Sequence, residues 1–163
     1  MKAWGDLTER GQARRLRSLV ENVLPEYGLA GAAIRLLEVA TNIVYRIDHP
    51  ARGRYVLKVD VNDEHPDEHV DLTLDWLAAL NAGTDIALVE PVPTLDGDRY
   101  VTADSPGVPP GRRCVLYRWA PGRPVFDKPT PAHYHELGRI TARLHEHAAG
   151  FRPSVPPNRW DRV

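Results

Sequence analysis

A short apolar run with a single lysine in it most constrains what this chain can fold into. Residues 55–59 read YVLKV, where β-branched and apolar side chains surround Lys58. Such a run favours a buried β-strand. Only three of the 21 basic residues are lysines, so a lysine inside this strand indicates a functional position. A rigid strand that carries an ammonium group is suited to holding a phosphate.

Two further strands are predicted ahead of this run. Residues 33–39 and 43–48 alternate apolar and polar side chains, which is typical of antiparallel strands. Ala40, Thr41 and Asn42 form the turn between them. In one interpretation the backbone amides and short polar side chains of this turn approach phosphates. In the other it is an ordinary hairpin turn, in which asparagine tolerates left-handed geometry. Lys58 in the next strand favours the first.

The remaining pattern predicts an α+β fold. Apolar residues recur at helical spacing in residues 8–27, 67–80 and 131–147. Residues 91–101 predict a hairpin around Asp96 and Gly97, and residues 113–119 predict another strand. We therefore expect an antiparallel sheet of about five strands with one helix packed on it, and helices at both ends of the chain.

Five segments together resemble the N-terminal lobe of the aminoglycoside phosphotransferase family. This family includes homoserine-kinase-like and choline-kinase-like enzymes and shares the protein-kinase fold. The segments are EVATNIVYRI (38–47), YVLKV (55–59), LDWLAAL (74–80), CVLYRWAPGRP (114–124) and LGRITARLHEH (137–147). Each is weak alone, but their order and spacing make the combination specific.

The resemblance implies an ATP site. Lys58 and the turn of residues 40–42 would contact the phosphates, and CVLYRWAPGRP would be the hinge that reads the adenine edge. Tyr117 would occupy the gatekeeper position, the Arg118 carbonyl would accept from the adenine amine, and the Ala120 amide would donate to the ring. Without the family, the same segment reads as a strand-to-helix connection.

One departure from the family concerns the partner of the lysine. In this fold a glutamate of the following helix pairs with the strand lysine. Matching LDWLAAL to the family puts that position at Thr73, which cannot form an ion pair. Glu68 lies one turn earlier, on roughly the same helix face as Leu72 and Trp76, and could reach Lys58. Either the pair is shifted to Glu68, or Lys58 is weakly positioned.

A second departure is the absence of the catalytic residues. The resemblance implies an aspartate base in an HGD-type loop, a nearby asparagine, and a second aspartate that binds magnesium. After the hinge the sequence has only Asp127 and Asp161, and no histidine stands two residues before either. We therefore expect no catalytic residue here, and the lobe of a truncated or split small-molecule kinase that is inactive alone. ATP would bind weakly, and magnesium would bind only when a C-terminal lobe is supplied.

The same comparison predicts the domain organisation. Residues 1–119 would form the nucleotide-binding lobe, residues 120–150 the hinge and a linker helix, and residues 151–163 a loose tail where the C-terminal lobe would begin. Besides the adenine nucleotide, we expect either a separate C-terminal lobe or a second copy of this chain as partner.

Two alternatives from other functional classes stay open. One is a non-enzymatic module that senses nucleotide or binds protein. The other is a zinc peptidase, because HPDEH, which begins at His65, matches an inverted zinc-peptidase pattern. There Glu68 would be the base, and His145 or His147 a further ligand. Pro66 argues against zinc, because proline belongs in the first turn of a helix and so places His65 outside it.

Charge and cysteine content narrow the partners and the compartment. The formal net charge is -1 and the basic residues are spread along the chain, which argues against a nucleic-acid or membrane surface. The single cysteine, Cys114, excludes an internal disulfide, and the residues after Met1 form no apolar leader. Together these features predict a cytoplasmic protein. No apolar segment is long enough to span a bilayer.

Overall fold

Helices and strands account for most of the chain in the order that the sequence predicts. The structure is a computed structural model that describes residues 2–40, 42–61, 67–122, 125 and 128–153, with residues 67 and 68 described by their backbone only. Within these residues the elements are α1 (Glu9–Val23), β1 (Ala33–Val39), β2 (Asn42–His49), β3 (Gly53–Asp60), α2 (Asp67–Gly83), β4 (Pro91–Val92), β5 (Val101–Ala103), β6 (Arg112–Arg118) and α3 (Pro131–Gly150).

The chain forms two compact units. One consists of Met1–Glu64 with Glu90–Trp119, and it contains α1 and all six strands of the described residues. The other consists of His65–Val89 with Ala120–Val163, and it contains α2 and α3.

The six described strands form one antiparallel sheet. The strand order is β1-β2-β3-β6-β4, and β5 pairs with β6. This confirms the predicted α+β class with an antiparallel sheet. The predicted hairpin in residues 91–101 is wrong, because β4 and β5 each pair with β6 and not with each other. The edge of the longer strand β6 offers backbone hydrogen-bonding groups to both β4 and β5, so these two short strands do not have to pair with each other.

The strand register separates the sheet into two faces. Residues directly opposite each other in an antiparallel pair point to the same face, and successive residues alternate. Val59 lies opposite both Ile43 and Cys114, whereas Lys58 lies opposite Val44 and Val115. We call the first the core face, and its central residues are all buried: Ile43, Tyr45, Ile47, Leu57, Val59, Cys114 and Leu116. The other, which carries Lys58, is the lysine face.

Helix α1 supplies the other half of the core. Its buried residues recur three and four positions apart, so they form one apolar stripe: Ala13, Leu16, Leu19, Val20 and Val23. Thr8 caps the helix, because its side-chain oxygen accepts from the Gly11 amide at 3.2 Å. A 3-10 turn, Leu24–Tyr27, follows α1 and ends at Gly28, whose φ of 68° is left-handed. A side chain there would also meet the Arg52 guanidinium at 3.0 Å.

Two buried tyrosines tie the helical layer to the sheet. The Tyr27 hydroxyl donates to the Cys114 carbonyl and the Tyr45 hydroxyl donates to the Ala13 carbonyl, both at 2.7 Å. Burial raises the pKa of both phenols well above the ordinary value. Burial also raises the pKa of the Cys114 thiol to about 12. All three groups therefore stay protonated in the folded state at neutral pH.

In the second unit α2 and α3 contact each other through side chains. The Trp76 indole of α2 donates to His147 Nδ1 of α3 at 3.2 Å, and Arg143 of α3 forms an ion pair with Asp85, two residues after the end of α2. Both helices run past their predicted ends at residues 80 and 147. In α3 this follows from Ala148 and Ala149, which favour helix. Among the described residues, no helix is both long and apolar enough to cross a membrane.

These protonated groups make the fold sensitive to alkali. Their pKa values are raised in the folded state, so above about pH 9 the unfolded chain loses protons that the folded chain keeps. Between pH 7 and about pH 9 these three groups should leave the free energy of unfolding unchanged. Above it, each group should lower that free energy by up to about 1.4 kcal/mol per pH unit. Urea unfolding between pH 7 and pH 11 measures this slope.

The Tyr27→Phe variant supplies the control for this prediction. At pH 7 it should lose about 1 kcal/mol, because the buried hydrogen bond to Cys114 is removed. Above pH 10 its stability should fall less steeply than that of the wild type. An identical slope in both proteins would contradict the assignment of the alkaline transition to buried phenols.

Candidate functional site

Lys58 lies near the middle of the lysine face. It is on β3, between Val44 of β2 and Val115 of β6. Its side chain is half-buried. Among the described residues, no hydrogen bond or ion pair engages the Lys58 ammonium group. The register that buries Leu57 and Val59 on the core face therefore presents Lys58 on the other face, with apolar side chains on both sides of it.

An ion pair lies on the same face near the end of β3. Asp60 accepts from Arg113 Nη2 at 2.9 Å, and both side chains are 9% exposed. Asp60 also lies opposite Asn42, the first residue of β2. Because strand residues two apart share a face, Asp60 is the acidic side chain that follows Lys58 along β3. The alternation of strand side chains predicts that Asp60 and Lys58 share a face. That Arg113 is the partner of Asp60 could be found only from the register of β3 with β6.

A second charged group lies at the other end of the lysine face. Asp48 accepts from Arg54 Nε at 2.7 Å and from Arg46 Nε at 2.8 Å. These hydrogen bonds, that from Arg54 above all, hold the pKa of Asp48 below its ordinary value. The central strands β2, β3 and β6 thus present four basic and two acidic side chains on this face, a net charge of +2. Such a surface favours an anionic ligand.

The predicted phosphate-binding turn is described only in part. The Ala40 amide donates to the Asn42 carbonyl at 2.9 Å, which closes the turn tightly. Thr41 lies outside the described residues.

The two predicted partners of the lysine lie on α2. The Thr73 hydroxyl donates to the His69 carbonyl at 2.8 Å, so it is engaged within its own helix. The Glu68 side chain lies outside the described residues.

The hinge residues extend from the end of β6. Tyr117 lies opposite Val56, so its side chain shares the lysine face, diagonal to Lys58. Burial raises the pKa of Tyr117, which keeps its phenol neutral. The Arg118 amide donates to the Glu90 carbonyl at 2.9 Å. Ala120 is exposed. The strand thus brings Lys58 and Tyr117 to one face.

Sequence reasoning missed one contact at the hinge. The Arg54 guanidinium lies over the Trp119 ring, 5.0 Å from its centroid. The Trp119 amide also donates to the Arg54 carbonyl at 3.4 Å. No sequence pattern signals this pair, because residues 54 and 119 become neighbours only through the pairing of β3 with β6.

The alternative zinc site gains no support from the described residues. His65 and Pro66 lie outside them, and in the rest no three His, Cys, Asp or Glu side chains cluster to hold a metal ion. His147 Nδ1 accepts from Trp76, and its ring stacks on Phe151 with 6.2 Å between centroids. His145 is exposed on α3.

Comparisons with known proteins bear on the family and the fold of this chain. Residues 33–162 match the model of the APH family, described as a phosphotransferase enzyme family. No match was found among curated protein sequences.

Two solved structures are similar in fold. One is a microcompartment-associated aminopropanol kinase, with 31% identity and a TM-score of 0.74 over 88% of this chain. The other is an amicoumacin kinase in complex with AMP-PNP, Ca²⁺ and Ami, with 21% identity and a TM-score of 0.71 over 96% of this chain. This chain covers 45% and 48% of those two chains, about half of each. With the family model matched over most of its length and the kinase-like N-terminal lobe fold present, the chain belongs to the APH phosphotransferase family.

Proposed function

We propose that this chain is the ATP-binding N-terminal lobe of a small-molecule kinase, and that it transfers no phosphate on its own. One observation carries the proposal: in a chain of the phosphotransferase family, Lys58 and Tyr117 share one sheet face. Tyr117 lies near the end of β6, where the hinge begins. The division into a lobe of residues 1–119 and a hinge and linker helix of residues 120–150 is part of this proposal. So are a tail of residues 151–163 and a cytoplasmic location.

The phosphate half of the site consists of Lys58 and the turn of residues 40–42. The net charge of +2 on the central strands of the lysine face supports binding of a polyphosphate. Lys58 is the basic side chain there for which the described residues provide no ion-pair partner, and we assign its ammonium group to the phosphates of the ligand. Backbone amides and the short side chains of Thr41 and Asn42 would complete the contacts.

The adenine half of the site is the hinge. The Arg118 carbonyl would accept from the adenine amine, and the Ala120 amide would donate to the ring. Tyr117, as gatekeeper, would limit the depth of the base pocket with a neutral, half-buried phenol. ATP would supply the transferable phosphoryl group, and these residues would bind and orient it.

We assign the binding of magnesium and of the acceptor to residues outside this lobe. Phosphoryl transfer depends on carboxylates that hold the metal and on a base for the acceptor hydroxyl. The aspartates after the hinge, Asp127 and Asp161, do not stand in an HGD-type motif, and both lie outside the described residues. A C-terminal lobe would therefore have to supply the metal site and the base.

The exposed side of α3 supports the proposal of such a lobe. No described residue of α3 is buried, and Tyr134 and Leu137 are 63% and 60% exposed. They line an apolar groove of about 440 Å³, together with Val125, Pro129, His133, Glu136 and Ile140. The similar kinases are about twice as long as this chain. We therefore assign the groove to a C-terminal lobe, and treat a second copy of the chain as the occupant when that lobe is absent.

The phosphate role of Lys58 is tested by comparing two ligands. Lys58→Met should weaken ATP binding on the order of tenfold, since a hydrogen bond to a charged group is lost. Binding of adenosine, which has no phosphate, should change little. Calorimetric titration measures both affinities, and the control is Lys128→Met, which changes an exposed lysine outside the lysine face. Equal weakening of both ligands would contradict a phosphate role.

Inactivity of the isolated chain is tested by a phosphate-release assay. With ATP, magnesium and a panel of aminoglycosides, choline, homoserine, aminopropanol and peptides, no acceptor should be phosphorylated. Positioning and charge neutralisation supply nearly all the catalysis in this chemistry. Without the base of the HGD-type loop and the magnesium-binding aspartate, the lobe can bind ATP but cannot accelerate its transfer. Turnover that disappears in Lys58→Met would disprove the claim. ATP binding that no added C-terminal lobe converts into turnover would favour the alternative of a non-enzymatic, nucleotide-sensing module.

The groove on α3 is tested by sedimentation. The isolated chain should self-associate as its concentration rises, because the apolar side chains of this groove are exposed to water. Leu137→Arg should shift the chain to monomer. Ala142→Arg adds the same charge about 140° away on the helix and should leave the association unchanged. A heat-resistant monomer at all concentrations would contradict the missing partner and favour a stand-alone domain.

A further inference from the structure

Arg54 holds Trp119 in two ways at once. Its guanidinium lies over the indole ring, 5.0 Å from the centroid, and its carbonyl accepts from the Trp119 amide at 3.4 Å. Trp119 stands between Arg118 and Ala120, whose backbone groups are the adenine readers of the proposed function. Side chain and backbone of one β3 residue therefore restrain the peptide that lies between the two readers.

Arg54 is itself held in place by its neighbours on the sheet. Asp48 binds Arg54 through one carboxylate oxygen and Arg46 through the other, at 2.7 and 2.8 Å. A carboxylate shared between two guanidinium groups fixes the direction of both. The Arg54 side chain is 46% exposed, so replacing it removes no core packing.

On the other side of the hinge the backbone is held by the Arg118 amide, which donates to the Glu90 carbonyl at 2.9 Å, but the side-chain restraint is weaker. Arg118 forms an ion pair with Glu90 at 3.1 Å, but these side chains are 64% and 63% exposed. Exposed ion pairs contribute little, because water and salt screen them. The side-chain restraint on the hinge therefore comes mainly from Arg54.

We propose that Arg54, held by Asp48, is a positioning residue that fixes the hinge for adenine recognition. The proposal rests on the proposed function, to which it adds residues outside the predicted site. Without the guanidinium, the Trp119 ring is released and the peptides on either side of it turn more freely. Recognition of the base should weaken, whereas the phosphate contacts, which lie on β3 and the turn, should not.

The test compares adenosine and ATP binding in the full chain by calorimetry. Arg54→Gln and Asp48→Asn should each weaken both ligands by the same factor, roughly three- to fivefold, as expected for loss of an exposed cation–π contact. The two changes together should weaken binding no more than Arg54→Gln alone, because they act through one contact. Arg54→Lys, which keeps the charge, should restore part of the affinity. The control is Arg35→Gln, which removes a charge from exposed Arg35, opposite Arg46 on the sheet.

A second readout does not depend on nucleotide. Amide hydrogen exchange of residues 117–120, followed by mass spectrometry, should be faster in Arg54→Gln and Asp48→Asn than in the wild type or Arg35→Gln. Weakened ATP binding with unchanged adenosine binding would overturn the proposal, since Arg54 would then act on phosphate. Unchanged exchange would overturn it as well. If the wild type binds neither ligand, the proposed function fails, and the exchange rates alone decide whether Arg54 restrains Trp119.

Discussion

The antiparallel register of β2, β3 and β6 is the constraint on which the rest of this structure depends. A slip of one residue would exchange the two faces of a strand. Leu57 and Val59 would then leave the core, and Lys58 would enter it. Because the burial of these two side chains is strongly favourable, it also determines the side on which Lys58 lies. The register of β2, β3 and β6 therefore determines both which side chains form the core and on which face Lys58 lies.

Most of the fold could be predicted because its signals are local. Alternating polarity located the strands around Lys58, and the 3.6-residue period located the three helices. The hairpin in residues 91–101 was predicted wrongly, because the competing partner, β6, comes later in the chain. A turn signal at Gly97 shows that the chain bends there, but not that β4 and β5 both run antiparallel to β6 and so in the same direction.

The candidate site could be predicted only where single positions carry the signal. Lys58 stands out in the sequence as the lysine of an apolar strand, whereas Tyr117 was predicted only through the resemblance to the family. The pairs Asp60–Arg113 and Arg54–Trp119 join residues more than fifty positions apart, and only the register of β3 with β6 brings them together. Asp60–Arg113 is also nearly buried. Removing one partner of such a pair costs more than replacing both with apolar residues, because it leaves a charge without compensation.

The burial of Cys114 has a chemical consequence. Its thiol is fully buried in the sheet, and its raised pKa leaves almost no thiolate at neutral pH. The thiolate is the form that reacts with alkylating and oxidising reagents. Since this is the only cysteine of the chain, labelling by a thiol reagent occurs only when the core opens. The reaction of Cys114 with a thiol reagent therefore measures the opening of the core around β6, the strand that leads into the hinge.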